Sequence, residues 1–217
     1  MTKRLIVYDL DGTLVDTRED IAQSANHMLG RMGLAPLSVQ EISGFVGDGV
    51  VSLVQGCLRS QDPQRVEEGV RIYRAYYGSH FLDRSRLYPG ARELLDHFNE
   101  KKQAVITNKP NPFSLDILKG LGVAGYFAEV IAGSVDYPAK PHPAALLAVM
   151  ARSGAEPPQT LLIGDSPIDI ELGRGAGVET VALTHGFGRR QEIEAAAPAA
   201  IVADFKEMLQ LAKERGW

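Results

Sequence analysis

Three features of this sequence predict an α/β fold, a Rossmann-like parallel sheet with helices on both faces plus an inserted all-helical unit. Short apolar runs recur along the chain without polar alternation, as expected of strands covered on both sides. Helical patterns separate them. The stretch from Val15 to Arg86 carries only helical periodicity and no convincing strand run.

The first run, Leu5-Ile6-Val7-Tyr8, ends at Asp9. The second, Ala104-Val105-Ile106, ends at Thr107-Asn108, and another, Leu161-Leu162-Ile163, ends at Gly164-Asp165. Val130-Ile131-Ala132 and Val181-Ala182-Leu183 complete a set of five. The helices between them are marked by their boundaries. One follows Pro89-Gly90 through Leu94, Leu95 and Phe98. The next starts near Asn111-Pro112, carries Phe113, Ile117, Leu118 and Leu121, and stops at Gly122. A further helix runs from Pro143 through Leu146, Leu147 and Met150 to Gly154, and a shorter one follows Pro167. Within the insert, Ile21, Met28, Leu29 and Met32 mark one amphipathic helix. Val50, Leu53, Val54, Cys57 and Leu58 mark a second, and Val66, Val70, Tyr73 and Tyr77 a third. The insert reads as a separate lobe with hinges near Val15-Asp16-Thr17 and Arg84-Ser85-Arg86-Leu87. Glu194-Ala195-Ala196-Ala197-Pro198-Ala199-Ala200 reads as a surface helix and turn.

At 217 residues the chain can bury a substantial core, in one large domain or two smaller ones. A net charge of −4 argues against a nucleic-acid partner and gives an anionic substrate no help from the global field, so attraction must come from local cations or a metal. Cys57, the single cysteine, cannot form an internal disulfide and fits a packing role. No apolar run reaches the length of a membrane span, and Asp9 and Asp11 interrupt any signal-peptide core, so a soluble cytoplasmic protein is expected.

Ligands of parallel sheets bind outside the carboxyl ends of the strands, and polar clusters stand at those ends here. Asp9-Leu10-Asp11-Gly12-Thr13-Leu14 offers two carboxylates one spacer apart. Such a pair can hold a hard divalent cation, leave one oxygen free to attack, and place the second carboxylate to move a proton, which suits phosphoryl transfer through an acyl-phosphate. An Asp-Gly turn would explain the hexapeptide alone equally well. A calcium-binding EF loop would not, since it needs glycine where Leu14 stands. Thr107 and Asn108 can donate hydrogen bonds to a phosphoryl oxygen. Lys140-Pro141-His142-Pro143 holds a lysine on a stiffened backbone, able to neutralise both a nucleophile and a phosphoryl group, while His142 reads as a helix N-terminal residue. Asp165 can complete an octahedral Mg²⁺ shell with Asp9, a backbone carbonyl, water and phosphate. Asp169, one helical turn on, can hold the lysine or an inner water. Each cluster alone has a bland explanation. Four of them, in order at four strand ends, favour an enzyme.

These clusters resemble the four motifs of the haloacid dehalogenase superfamily: DxDGT, a strand-end Thr or Ser, a Lys, and GDxxxD. The resemblance implies a core of residues 1–14 and 87–217 with a helical cap domain at 15–86. It implies Asp9 as nucleophile, Asp11 as general acid and base, and Thr107 and Lys140, with Asn108 beside them, as phosphate-binding groups. The Mg²⁺ ligands implied are Asp9, the Asp11 main-chain carbonyl and Asp165, with Asp169 in support. Finer strings resemble the phosphoglycolate phosphatase subfamily: Asp9 through Asp16-Thr17, Phe45-Val46-Gly47-Asp48-Gly49, Tyr88-Pro89-Gly90, Val105-Ile106-Thr107-Asn108-Lys109-Pro110 and Lys140-Pro141-His142-Pro143. The expected activity is Mg²⁺-dependent hydrolysis of a small phosphorylated metabolite, foremost 2-phosphoglycolate. Another phosphatase (of phosphosugars, nucleotides or pyrophosphate) is the alternative, with a β-phosphoglucomutase-like mutase and a non-catalytic phosphate-sensing protein less favoured. Asp11 argues for an oxygen leaving group, because the namesake dehalogenases lack this second Asp. Ile21, where the related β-phosphoglucomutases carry a histidine, argues against a mutase. For a substrate carboxylate, Arg18, Arg59 and the backbone near Gly47-Asp48-Gly49 are the candidates.

Overall fold

A computed structural model describes residues 2–133 and 135–217. In chain order the elements begin with β1 (Leu5–Tyr8), β2 (Val15–Asp16), α1 (Arg18–Arg31), α2 (Val39–Ser43), α3 (Val50–Leu58), α4 (Pro63–His80) and β3 (Arg86–Leu87). There follow α5 (Ala91–His97), β4 (Lys102–Thr107), α6 (Phe113–Gly120), β5 (Glu129–Ala132), α7 (Ala144–Ser153), β6 (Thr160–Gly164) and α8 (Pro167–Ala176). The chain closes with β7 (Glu179–Leu183), α9 (Arg190–Ala196), β8 (Ala200–Val202) and α10 (Phe205–Glu214).

Six strands form one sheet in the order β5-β4-β1-β6-β7-β8, with every pairing parallel. Side chains alternate between its faces. Ile6, Tyr8, Val105, Leu161 and Ile163 join a core with α5, α6 and α10, while Leu5, Val7, Ala104, Ile106 and Leu162 join one with α7 and α8. Both faces are thus covered, which is why these strands read as continuous apolar runs. The chain leaves β1 for β4 on one side and returns to β6 on the other. The strand order reverses at β1, where the crevice beyond the carboxyl ends opens.

Five of the six strands coincide with the expected runs. The sixth, β8, corrects the reading of Glu194 to Ala200 as helix and turn only: α9 ends at Ala196, the chain turns at Ala197 with φ 52°, and β8 starts at Ala200. A three-residue strand has too little pattern to distinguish it from a turn exit. α10 was also unmarked; it buries Phe205, Met208 and Ala212 against the sheet.

Helices α1 to α4 pack around their own apolar cluster, which includes Met28, Leu29, Ile42, Val54, Tyr73 and Tyr77. Asp62 starts α4 by accepting from Gln64 N and Arg65 N ahead of Pro63 at the first helical position. Cys57 is buried in this cluster, and burial pushes its thiol up to about 11. Among the described residues no helix is long and apolar enough to cross a membrane.

Two chain crossings join the lobe to the sheet domain, and they pair with each other as an antiparallel ribbon, Val15 with Leu87 and Asp16 with Arg86. The fully buried Asp20 carboxylate fastens the return crossing. It accepts from Arg84 N at 3.0 Å, Ser85 N at 2.8 Å and Ser85 Oγ at 2.7 Å. Removing that carboxylate leaves buried donors without a partner, which costs about 1–3 kcal/mol per group. Asp20→Ala is therefore expected to destabilise the protein by about 2–3 kcal/mol. Urea unfolding checks this, and a loss within about 0.5 kcal/mol, as typical of surface changes, would remove Asp20 from the account of the crossing.

Candidate active site

β1 delivers Asp9 to the centre of the crevice, where its main-chain N–H stays in the sheet by donating to Ile163 O at 3.0 Å. The backbone then turns sharply, with Gly12 at φ 86° and Val15 N donating back to Leu10 O. Glycine is required at position 12 twice over. The left-handed backbone disfavours a side chain, and a Cβ there would collide with Asp165 Oδ2. Gly186, from the loop after β7, clears the same carboxylate from the other side. Thr13 completes the fit, donating its hydroxyl to Asp165 Oδ1 at 2.6 Å. The Gly-Thr pair of the first motif thus shapes the seat of the fourth-motif aspartate.

Asp165 leaves β6 fully buried, and its Oδ2 accepts from Phe187 N at 2.7 Å. Asp169, in the first turn of α8, is spent on structure. Its Oδ2 accepts from Asp165 N, Ser166 N and Ser166 Oγ at 3.2, 3.2 and 2.7 Å, closing a capping box, and its Oδ1 accepts from Lys140 Nζ at 2.7 Å. Lys140 Nζ also lies 2.8 Å from Asp9 Oδ1, so one ammonium serves two buried carboxylates. His142, expected at a helix start, accepts from Ala144 N just ahead of α7.

Burial pushes the Asp9 carboxyl up to about 6 against the pull of Lys140, with Asp169 and Asp11 adding to the rise. Burial likewise takes Asp165 to about 7, helped by the charges of Asp169 and Asp9. Burial alone would lower Lys140, but Asp169 and Asp9 outweigh it and raise its ammonium above the usual value. Oxygens of Asp9, Asp165 and Asp169 lie within 4.8 Å of one another. An acceptor-only cluster of three buried carboxylates sharing one lysine is the donor set a hard divalent cation takes. Asp9 and Asp165 fit as ligands; Asp169, with both oxygens engaged, fits as their support.

Asp11 stands apart from that cluster. Thr17, which precedes α1, gives its hydroxyl to Asp11 Oδ1 at 2.6 Å instead of capping the helix. Lys109 Nζ contacts both Asp11 oxygens, at 2.9 and 3.2 Å. This lysine sits in the Thr107-Asn108-Lys109 string, but no pattern in the sequence assigned it a role. Thr107 Oγ1 accepts from Lys109 N, which leaves its own proton available.

Asn108 differs from expectation. Its Nδ2 donates to Gly47 O at 2.8 Å and Lys140 O at 3.2 Å, and its Oδ1 accepts from Lys140 N at 2.9 Å. The carboxamide is therefore a clamp between the lobe and the Lys140 loop rather than a phosphate donor. Arg18 and Arg59 also lie outside the chamber lining. Arg18 pairs with Asp16, Tyr88 Oη and His185 O, and the exposed Arg59 sits 3.7 Å from Glu41. Gly47, Asp48 and Gly49 do line it.

The chamber between sheet ends and lobe measures about 350 Å³. Asp9, Asp11, Thr107, Lys109 and Lys140 form its floor, and Ile21, Tyr73 and Tyr77 belong to its helical wall. Sequence periodicity marked the two tyrosines only as apolar helix positions.

Residues 6–183 match the family described as haloacid dehalogenase-like hydrolase. The chain is 34% identical to a phosphoglycolate phosphatase of Pseudomonas putida, over 95% of this chain and 78% of that one. It is 33% identical to a phosphoglycolate phosphatase of Haemophilus influenzae, over 96% and 97%. A crystal structure of a predicted phosphoglycolate phosphatase from Haemophilus somnus superposes with a TM-score of 0.92 at 31% identity, covering 98% of this chain and 99% of that one.

The raised carboxylates carry a sign that can be tested. Asp9 and Asp165 bind protons in the folded, metal-free protein between about pH 4 and 7, where an unfolded carboxylate does not. Their contribution to metal-free stability therefore falls as pH rises through this window, and protons compete with a cation at its lower end. The rise in melting temperature on replacing EDTA with millimolar Mg²⁺ is expected to be several-fold larger at pH 8 than at pH 5. An equal rise at both pH values would remove the cation from these carboxylates.

Proposed function

From the premise that this chain belongs to the haloacid dehalogenase-like hydrolase family and is a phosphatase, we propose that it hydrolyses 2-phosphoglycolate through an aspartyl-phosphate on Asp9. The observation that carries this reading is the placement of Asp9 and Asp11 in one chamber with different surroundings. Asp9 faces Lys140 and the other carboxylates, whereas Asp11 is held by Thr17 and Lys109. Two carboxyl groups in unlike environments can take unlike roles.

In the proposed cycle an Asp9 oxygen attacks phosphorus in line while the Asp11 carboxyl gives its proton to the departing alkoxide. Asp11 then takes a proton from the water that hydrolyses the acyl-phosphate. Thr107 Oγ, the Lys140 ammonium and the main-chain N–H of Asn108 hold the phosphoryl oxygens. Lys140 keeps its charge throughout because Asp169 anchors it. Asp9, the Asp11 carbonyl and Asp165 would hold Mg²⁺, which supplies Lewis-acid neutralisation of charge around phosphorus. Ile21 on the chamber wall offers no proton carrier, which favours hydrolysis over a mutase.

Residues 15–86 act in this reading as a cap over a core of 1–14 and 87–217. The ribbon of β2 and β3 is its hinge and the Asn108–Gly47 hydrogen bond its latch. Opening admits substrate and closing excludes water, so this motion bears on turnover.

Asp9→Asn is expected to lower kcat by about 10³-fold or more, roughly 4 kcal/mol of barrier, without loss of fold. Near-normal phosphate release from 2-phosphoglycolate by that variant would overturn the nucleophile assignment. Asp11→Asn should harm turnover of 2-phosphoglycolate far more than that of nitrophenyl phosphate, whose leaving group needs no proton. Equal losses on the two substrates would take the acid role from Asp11.

A further inference from the structure

Two groups in the chamber are left over once the phosphoryl chemistry is assigned. The Tyr77 side chain is 2% exposed, lines the chamber, and its buried hydroxyl has no hydrogen-bond partner. Leaving such a hydroxyl unpaired costs about 1–3 kcal/mol, which a polar partner brought to it would recover. The Lys109 ammonium lies 4.8 Å from the centre of the Tyr77 ring, and its side chain is 6% exposed. An ammonium has three donors. Asp11 takes contacts from Lys109 Nζ on both of its oxygens, and no other acceptor meets that nitrogen among the described residues. Tyr73 packs against Tyr77 with ring centres 5.4 Å apart and closes the wall.

We infer that Lys109 and Tyr77 form a leaving-group subsite that receives a carboxylate carried on the carbon next to the phosphoester oxygen. Placement supports this chemistry. Asp11 is the group that meets the leaving oxygen, and Lys109 touches Asp11 directly, so a substituent one carbon beyond that oxygen falls within reach of the ammonium and the ring above it. The subsite favours an anion, since a carboxylate makes a charge-assisted hydrogen bond with the buried ammonium where a neutral hydroxyl makes only a weaker one. Low surrounding polarity from Tyr73, Tyr77 and Phe113 strengthens the pairing. An ammonium and a phenol together match a carboxylate's two oxygens. This rests on the phosphatase reading for the position of the phosphoryl group and adds how the leaving group is chosen.

The test measures binding rather than turnover. In the full-length Asp9→Asn protein with Mg²⁺, calorimetry compares 2-phosphoglycolate with ethyl phosphate, which lacks the carboxylate. The expected preference is at least tenfold. Adding Lys109→Met or Tyr77→Phe should each reduce it to threefold or less. Tyr77→Phe removes one oxygen and keeps the ring, so it separates recognition from folding and from the charge left on Asp11. Arg74→Ala, a cation on the rim of the same chamber, should leave the preference intact. The inference is overturned if the parent shows no preference, if the preference survives in either variant, or if Arg74→Ala abolishes it. A preference lost as expected, in a protein whose unmutated form releases no phosphate, would uphold the subsite and defeat the hydrolytic reading instead.

Discussion

Three carboxylates gather at the carboxyl ends of β1 and β6 around a single lysine, and most of the neighbouring structure exists to tolerate that. At an effective dielectric of about 20, two like charges 4.8 Å apart repel by about 3 kcal/mol. Lys140 offsets one unit of charge and is itself held by the carboxylate least able to move, Asp169. Asp165 is met by the Thr13 hydroxyl and the Phe187 N–H, and by two glycines that keep carbon away from it. One lysine cannot offset all three carboxylates, and with burial this leaves the carboxyls of Asp9 and Asp165 raised. A site left in electrostatic deficit by its own residues is one that could bind a cation.

That deficit would be useless if water filled the chamber. Several contacts hold the lobe over it, among them a two-residue ribbon, the Asp20 carboxylate on Arg84 and Ser85, and a hydrogen bond from Asn108 to Gly47. The first two lie at the crossing and hold the lobe in register. The last reaches across the chamber and also grips the Lys140 loop through Lys140 N and O. Lobe position and lysine position are therefore coupled through one carboxamide. The Asn108 side chain thus ties the lobe to the Lys140 loop.

The sheet domain was legible because its physics is local. Buried strands must be apolar, and a polar residue directly after each one has nowhere to go but the crevice. That reasoning placed Asp9, Thr107 and Asp165 correctly at strand ends, and of the two partners the helical spacing left open for Asp169, the lysine or an inner water, the structure shows the lysine. β8 was invisible because three residues on the edge of a covered sheet carry no period. The roles of Asn108 and Lys109 were hidden for another reason. Their partners, Gly47 and Asp11, lie far away in sequence, and only the folded geometry shows which neighbour of Thr107 faces the clamp and which the second aspartate. Tyr73 and Tyr77 satisfied a helical pattern so well that their hydroxyls went unread.

Arg18 and Arg59 both lie outside the chamber lining. Arg59 is exposed and its charge is screened by solvent within a Debye length of about 8–10 Å. Arg18 is committed to Asp16, Tyr88 and the His185 carbonyl at the hinge. A protein with a net charge of −4 draws no anion by its overall field, so discrimination has to come from a charge the solvent cannot reach. Lys109 is such a charge, fixed between Asp11 and an aromatic face. In the proposed reading Asp9 and its neighbours act on the phosphoester, and the wall of α4 with Lys109 distinguishes its leaving group from competitors.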